Sequence, residues 1–276
     1  LTQYFRQPKV YVTLPSKGKY YTSDALNMPE TGELPVFAMT AKDELTMKTP
    51  DALLNGQATV NVIKSCVPNI ADPWQMPSID LDAILVAIRI ATYGESLDLE
   101  TKIPVTGEER TFQADLRQML NKLVTVDYID EVHIGDFLLT LRPLTYKEFT
   151  ATSLKTFEEQ RIFATINDDE LPDADKLEKF AESFQKLTDL TVAMMSKGIA
   201  KINIGETEVT NADHIDEFIN NVDKDIYQSI LDHLDDQRKK FVIEPLTVQT
   251  TAEDREAGAP ETFEVPITFD SSNFFA

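Results

Sequence analysis

The sequence is poor in cysteine and in basic residues, and each shortage excludes a class of protein. Cys66 is the sole cysteine among 276 residues, which excludes an intramolecular disulfide framework and a zinc site built on cysteine pairs. Lysine and arginine number 26 against 47 aspartates and glutamates, giving a formal net charge of −21. Because phosphate neutralisation needs a clustered positive face, this charge argues against nucleic-acid binding.

Long hydrophobic runs and catalytic motifs are also missing. No uncharged apolar run approaches the roughly 20 residues of a membrane span, and the first residues lack the apolar core of a signal peptide, so we expect a soluble protein made inside a cell with no membrane partner. The phosphate-binding patterns GxxxxGK[ST] and GxGxxG are absent, as are GxSxG and HExxH. The three histidines have no metal-ligand spacing. The sequence therefore predicts no cofactor and no metal site.

The clearest element is a helix over 80–93. Its apolar residues recur at i, i+3, i+4 and i+7, namely Leu81, Ile84, Leu85 and Ile88. Ser78 or Asp80 can cap its start, and Gly94 suits its end. Arg89 lies beside this stripe, and we favour a surface position for it over a buried pairing with a carboxylate. Cys66 is expected in the core because no base can be placed beside it.

Alternating patterns predict hairpins at 97–114 and 242–269, and the chain is helical over 146–165 and 176–197. A small hairpin is expected at 202–209. One apolar face of the second of these helices is expected in the core, and it consists of Phe180, Phe184, Leu187, Leu190 and Met194. The fold class is α+β, with helix-rich units that each carry a long antiparallel β-hairpin and with an N-terminal hairpin arm.

The sequence divides into four predicted segments. The N-terminal β-hairpin arm covers 1–30, with a strand at 9–14 returning at Tyr20-Tyr21. A mixed unit covers 31–143 and contains the 97–114 hairpin. A helical region with the small hairpin covers 144–240, and a C-terminal hairpin with a Phe-Phe tail covers 241–276.

The order of these elements resembles the baseplate protein family of T-four-like contractile-tailed bacteriophages, which includes hub and hub-assembly proteins. The segments that carry the resemblance are 14–19 (LPSKGK), 53–67, 79–95, 141–145 (LRPLT) and 273–275 (NFF). Some relatives are expected to carry cysteine pairs at the two hairpin tips, which here are Pro104–Gly107 and 254–260 without cysteine. The resemblance thus implies hairpins held by strand pairing alone.

The resemblance also implies a non-enzymatic structural or assembly role in the baseplate hub, in the virion or in the host cytoplasm during assembly. Its partners would be other tail and baseplate proteins. Two groups are the candidate partner-binding residues: the basic N-terminal set Arg6, Lys9, Lys17 and Lys19, and the aromatic pair Phe274 and Phe275. The basic set is expected to attract an acidic neighbour, with a self-packed edge hairpin as the alternative. The aromatic pair is expected to anchor in a partner, with folding back onto the chain as the alternative.

Two other functions stay open at this point. One is an acidic assembly chaperone that leaves before the virion is complete, which composition does not separate from a permanent component. The other is a hydrolase that uses Asp235 and Asp236 with Glu244 as general acid and base. The hydrolase needs two carboxylates at a defined separation in a cleft, and the sequence does not show one.

Overall fold

The computed structural model describes residues 5–48, 56–165, 173–269 and 274–275. The chain forms two compact units that are each discontinuous in sequence: unit 1 comprises Leu1–Pro73, Ile79–Asp127 and Lys240–Ala276, and unit 2 comprises Trp74–Ser78 and Tyr128–Lys239. The four predicted segments are continuous stretches, so their boundaries describe a different division and stay a prediction. The sequence also predicts a short helical segment at 51–54, between Pro50 and Gly56, but these residues lie outside the described ranges.

Helices and antiparallel strands both contribute, which confirms the α+β class. The strands are β1 (Pro8–Val12), β2 (Leu34–Phe37), β3 (Ser96–Lys102), β4 (Glu109–Asp115), β5 (Glu131–Ile134), β6 (Phe137–Leu141), β7 (Ile199–Ile204), β8 (Thr207–Val209), β9 (Leu246–Gln249) and β10 (Thr262–Val265). The α-helices are α1 (Ala41–Met47), α2 (Gln57–Cys66), α3 (Leu81–Tyr93), α4 (Leu116–Thr125), α5 (Tyr146–Thr165), α6 (Asp173–Gly198), α7 (Ala212–Asn221), α8 (Lys224–Lys239) and α9 (Ala252–Glu256).

The N-terminal strand exists, but its predicted partner is wrong. β1 pairs antiparallel with β2, with Val12 opposite Leu34. The expected return strand at Tyr20-Tyr21 is absent because the segment before it turns sharply: Lys17, Gly18 and Tyr20 all have φ between 55° and 77°. Backbone in this left-handed region does not continue a strand. The first strand is therefore held by a partner more than twenty residues further along the chain.

Helix α3 forms the core of unit 1. Every residue from Ala83 to Ala91 is buried, and Ile84 and Ile88 have no exposed surface. A helix that is apolar all round must be covered on all sides. Helix α4, which the sequence analysis did not predict, buries Leu116, Leu120 and Leu123.

Arg89 is buried in unit 1 and is not the surface residue that was expected. Its guanidinium lies 4.7 Å from the centre of the Tyr93 ring, and its Nη atoms donate to the carbonyls of Gly94 and Ser96 at 3.3 and 3.4 Å. Burial lowers the pKa of Arg89. The side chain therefore supports the end of α3 from inside the fold.

Two hairpins of unit 1 lie against each other. The predicted hairpin at 97–114 is confirmed as β3 and β4, in register from Ser96 opposite Asp115 to Lys102 opposite Glu109. The C-terminal hairpin is formed by β9 and β10, so the strand expected at 241–243 begins later, at Leu246. The β9 and β10 pair is shorter than the 242–269 hairpin that the sequence predicted.

The hairpins are held by more than strand pairing, which corrects the expectation for their tips. Arg110 of β4 makes two hydrogen bonds to the carboxylate of Asp254 in α9, at 2.7 and 3.2 Å. These hydrogen bonds, with those from Thr251, lower the pKa of Asp254 to about 2. The rings of Phe112 and Phe263 meet edge to face at 5.8 Å. A bidentate ion pair and an aromatic contact thus join the two hairpins into one body.

Unit 2 is built on a four-stranded antiparallel sheet in the order β5, β6, β7, β8. The small hairpin predicted at 202–209 is confirmed as β7 and β8. Helices α6, α7 and α8 contribute to one apolar cluster on this sheet, and its buried members are Leu139, Leu141, Met195, Ile199, Ile202, Ile215, Ile219 and Ile230. Asn211 caps α7, because its side chain accepts hydrogen bonds from the backbone N–H groups of Asp213 and His214.

Helix α6 enters this cluster with its second half only. Its bounds agree closely with the predicted helix, and Met195 is 2% exposed. The prediction of a continuous core face is wrong for the first half, since Phe180 is 44% exposed and Phe184 is 61% exposed. Lys186 of α6 pairs with Glu159 of α5 at 3.6 Å, so the two helices lie side by side there. Apolar periodicity shows which residues of α6 share a face, but it does not show whether other residues of the chain cover that face.

Candidate interaction surface

Arg6, one of the four basic candidates, is already engaged inside unit 1. Its guanidinium donates to the backbone carbonyls of Ala38 and Ser65 and to Ser65 Oγ at 2.8 Å. It also lies 3.6 Å from the Asp43 carboxylate and 5.7 Å from the centre of the Phe37 ring. These contacts join the segment before β1 to β2, α1 and α2. The Arg6 side chain is thus a structural tie in this conformation.

A shallow groove opens beside Arg6. It has a volume of about 660 Å³ and is lined by Phe5, Arg6, Phe37, Thr40, Ser65 and Pro68. Phe5 is 65% exposed at its edge. Its described lining combines three apolar side chains with one partly buried cation, Arg6.

The three lysines of the basic set are on the surface. Lys9 and Tyr11 point outward from β1, whose alternate residues Val10 and Val12 are buried. Lys17 makes an ion pair with Asp127, and its hydrogen bond lowers the pKa of that carboxyl group. Lys19 is exposed two residues further on. Of the basic set, Arg6 is therefore bound within unit 1, whereas the other three cations are exposed.

A buried carboxylate fixes the turn that carries these lysines. Asp80, at the start of α3, has no exposed surface and accepts hydrogen bonds from Ser16 N at 2.7 Å, Ser16 Oγ at 2.6 Å and Tyr21 Oη at 2.9 Å. Burial raises the pKa of Asp80 to about 6, although the hydrogen bonds to its carboxylate oppose this shift. One of the two sequence predictions for the start of α3 was a cap by the Asp80 side chain. The structure contradicts it, because this side chain makes no capping hydrogen bond.

A second acid of the same helix holds the chain after α8. The Asp82 carboxylate accepts a hydrogen bond from the backbone N–H of Ile243 at 2.8 Å, and burial raises its pKa to about 6. Both carboxylates are structural, since each one satisfies backbone or hydroxyl donors of a distant segment. The sequence motif Ile79-Asp80-Leu81-Asp82 offered the signal, because two acids next to an apolar helix need partners if they are buried.

The aromatic pair is buried in unit 1. Phe274 and Phe275 are 0% and 1% exposed. The Phe274 ring meets Phe269 edge to face at 4.7 Å and Phe275 at 4.9 Å, and Tyr93 Oη donates to the Phe275 carbonyl at 3.3 Å. The arrangement is the fold-back alternative of the sequence analysis. Partner binding by this pair stays a prediction that requires both rings to leave the core.

Asp235 and Glu244, two of the residues proposed for a hydrolase, are each paired with cations. Asp235 makes ion pairs with Arg238 and Lys239 at 2.6 Å each, and these cations lower its pKa. Glu244 belongs to unit 1, where it pairs with Lys122 at 3.0 Å. A general acid needs a raised pKa, so Asp235 has the opposite of the required environment.

Cys66 is a core residue, as the sequence analysis expected. It is fully buried, and burial raises the pKa of its thiol to about 12, so it is not a nucleophile near neutral pH. Within 5–48, 56–165, 173–269 and 274–275, no three side chains of the metal-binding types come together. Among the helices of these ranges, none has the length and hydrophobicity needed to cross a membrane.

The exposed apolar residues of α5 and α6 form a surface that was not predicted from the sequence, since Phe180 and Phe184 were expected in the core. Phe157, Leu177, Phe180 and Phe184 are between 44% and 71% exposed. Large apolar side chains grouped on a surface mark interaction sites. Their helical spacing was visible in the sequence, but a spacing alone does not distinguish a face covered by the same chain from one left open.

Comparison with family models assigns the chain to a protein family. A family model described as T4 bacteriophage base plate protein matches residues 7–254, which is most of the chain. No curated protein and no solved structure gives a significant match. Because the family match spans both units, the chain belongs to the T4 bacteriophage base plate protein family.

Proposed function

We propose that this protein is a structural or assembly component of the hub region of a contractile-tail baseplate and that it acts through protein–protein contacts, without catalysis. Family membership supports a structural role in a phage baseplate. The hub location comes from the resemblance in element order described above. The contact mode is supported by the surface of the described residues, which carries exposed cations and exposed apolar side chains.

The observation that carries the contact mode is the outward face of β1 and the turn after it. Lys9, Tyr11 and Lys19 are exposed there, in a chain whose net charge is −21. The Asp80 carboxylate holds the turn, so Lys19 is presented from a fixed backbone. A preorganised basic surface binds an acidic partner at a lower entropic cost than a flexible tail does. We assign the partner-binding role to Lys9, Lys17 and Lys19.

The test is a charge reversal at Lys9 and Lys19, because Lys17 already pairs with Asp127. The variant Lys9→Glu with Lys19→Glu is compared with Lys240→Glu, an exposed lysine of unit 1 outside this surface. Binding to the other baseplate proteins of the same phage is measured at low and high salt. We expect the double variant to lose most of the binding and its salt dependence, while the control keeps both. Equal binding by all three proteins would refute the assignment of these lysines.

Whether the chain remains in the finished particle is tested separately. We propose that it stays in the tail as a permanent component and is also found in the host cytoplasm during assembly. Mass spectrometry of purified virions and of infected-cell lysate distinguishes this from a chaperone. Recovery from lysate alone would show that the protein is a transient assembly factor and not a permanent component. The family assignment would be unchanged.

A further inference from the structure

The first half of α6 carries an uncharged face that points to solvent. The residues that share this face recur at i, i+3, i+4, i+7, i+11 and i+14, namely Leu177, Phe180, Ala181, Phe184, Thr188 and Thr191, and all six are exposed. Leu177 is 71% exposed and Phe184 is 61% exposed. Covering such side chains is the dominant favourable contribution to association in most interfaces, so this face is suited to a contact with another helix.

Its charge distinguishes this face from the rest of the chain. Helices α5 and α6 together contain 7 basic and 8 acidic residues, out of 26 and 47 in the whole sequence, so the remainder of the chain holds nearly all of the net charge of −21. The described acids of α6, Glu178, Glu182 and Asp189, recur at i, i+4 and i+11 on a separate stripe. Two copies of a strongly acidic protein repel each other over most surfaces, and they do so least where acids are absent.

We infer that this face of α6 binds the same face of a second copy of the chain. A two-fold symmetric contact needs a surface that is complementary to itself, and an apolar face without charge meets that condition. Ala181 lies between Leu177 and Phe184 on the face, so a small residue lets two helices approach while the larger side chains on either side interdigitate. An acidic partner is not favoured by this face, because none of its six residues carries a positive charge.

The expected dimer is weak and strengthens with salt. The exposed parts of the three large side chains offer on the order of 300 to 400 Å² of apolar surface per copy. The total of roughly 600 to 800 Å² is below that of standard stable interfaces, so dissociation in the micromolar range or above is expected. Salt screens the residual repulsion between the two acidic chains, whereas it weakens the docking of Lys9 and Lys19 on an acidic partner. The two contacts therefore have opposite salt dependences.

The test is sedimentation equilibrium of the full chain from about 1 μM to about 300 μM. At about 0.5 M NaCl the mass is expected to rise from 31.1 kDa toward twice that value, and at about 0.1 M the rise should be smaller. The variant Phe180→Gln with Phe184→Gln should weaken association at least tenfold with an unchanged melting temperature. Tyr11→Gln, a 59% exposed aromatic on β1, is the matched control and should associate like the wild type.

A cross-linking variant tests the location of the contact. Ala181→Cys places a thiol on the face, and Glu178→Cys places one on the acidic stripe of the same helix. The buried Cys66 does not compete for a bismaleimide, because burial raises its thiol pKa to about 12. We expect cross-linked dimers from Ala181→Cys and far fewer from Glu178→Cys.

Three outcomes overturn the inference. They are a monomer at the highest concentration in both salts, dimers that persist in the Phe180 and Phe184 variant, and equal cross-linking by the two cysteine variants. If the protein is a monomer and the Phe180 and Phe184 variant loses binding to another baseplate protein, the face binds that protein and not a second copy. None of these outcomes bears on the proposed baseplate role, because that role is tested by binding to other tail proteins and by recovery from virions.

Discussion

The two units differ in how they use their charged and large apolar side chains. Unit 1 turns charged groups inward as ties: Arg6 holds the segment before β1, Asp80 holds the turn after it, and Asp82 holds Ile243. Unit 2 leaves large apolar side chains outside, with Phe184 61% exposed on α6. The buried groups of unit 1 thus fix the backbone around the exposed Lys9 and Lys19, whereas the exposed helix faces of unit 2 are themselves available for contacts.

The largest expected effect compares one phenylalanine from each unit. Phe274→Ala removes a ring with no exposed surface, so it should lower the free energy of unfolding by about 3 to 5 kcal/mol. Phe184→Ala removes a ring that is 61% exposed and should cost less than about 1 kcal/mol. Urea denaturation of the two variants and the wild type measures both values. Similar losses would show that the contrast between the units is wrong.

The second prediction concerns the pH dependence of unit 1. The pKa of Asp80 is about 6 in the folded state and about 3.9 in an unfolded chain, so between these values the folded state holds a proton that the unfolded state has released. Stability should therefore fall as the pH rises from about 4 to about 6.5, by about 3 kcal/mol from Asp80 alone. Asp82, also with a pKa of about 6, contributes with the same sign.

Asp80→Asn tests this contribution. Denaturation at several pH values between about 4 and about 7.5 should show a shallower slope for this variant than for the wild type. Asp24→Asn, at an exposed aspartate in the same unit, serves as the control and should keep the wild-type slope. An unchanged slope for Asp80→Asn would mean that the Asp80 carboxylate is not held in a buried site.

The smallest effect is expected in unit 2 and has the opposite sign. Burial alone would raise the pKa of Glu148, but hydrogen bonds from Arg142 at 2.8 and 2.9 Å and from Thr145 N lower it to about 2. This contribution is complete above about pH 4.5 and is lost as the pH falls through about 2. Glu148→Gln should therefore cost about 1 to 2 kcal/mol at neutral pH and almost nothing near pH 2. A penalty that stays constant with pH would contradict the ionic role of Glu148.

The elements that the sequence predicted well are those fixed by local patterns. The helix over 80–93 and the hairpin at 97–114 have strong periodicity and clear turn residues, and both are found. Helix α4 was missed although Leu116, Leu120 and Leu123 recur at i, i+4 and i+7 and Asp115 caps it by accepting from Gln118 N at 3.0 Å. The same kind of apolar periodicity that predicts α3 therefore also marks α4.

Non-local features were beyond the sequence patterns. Several short strands could pair with β1, and in the structure β2 does so, with Leu34 opposite Val12. Strand propensity does not determine which strand becomes the partner. The burial of Asp80 depends on Ser16 and Tyr21 arriving from 59 to 64 residues away. The candidate surface was predicted in part: Lys9, Lys17 and Lys19 are exposed, whereas Arg6 and Phe274 are used inside unit 1.

Cross-linking mass spectrometry of baseplates and their assembly intermediates from infected cells tests the central claim most directly, because it reports which tail proteins contact this chain. The account predicts cross-links from this chain to other tail proteins, with Lys9 or Lys19 among the linked residues of unit 1. It also predicts links from α6 lysines such as Lys176 between two copies of the chain. Baseplates and intermediates in which the chain forms no cross-link to any tail protein would contradict it.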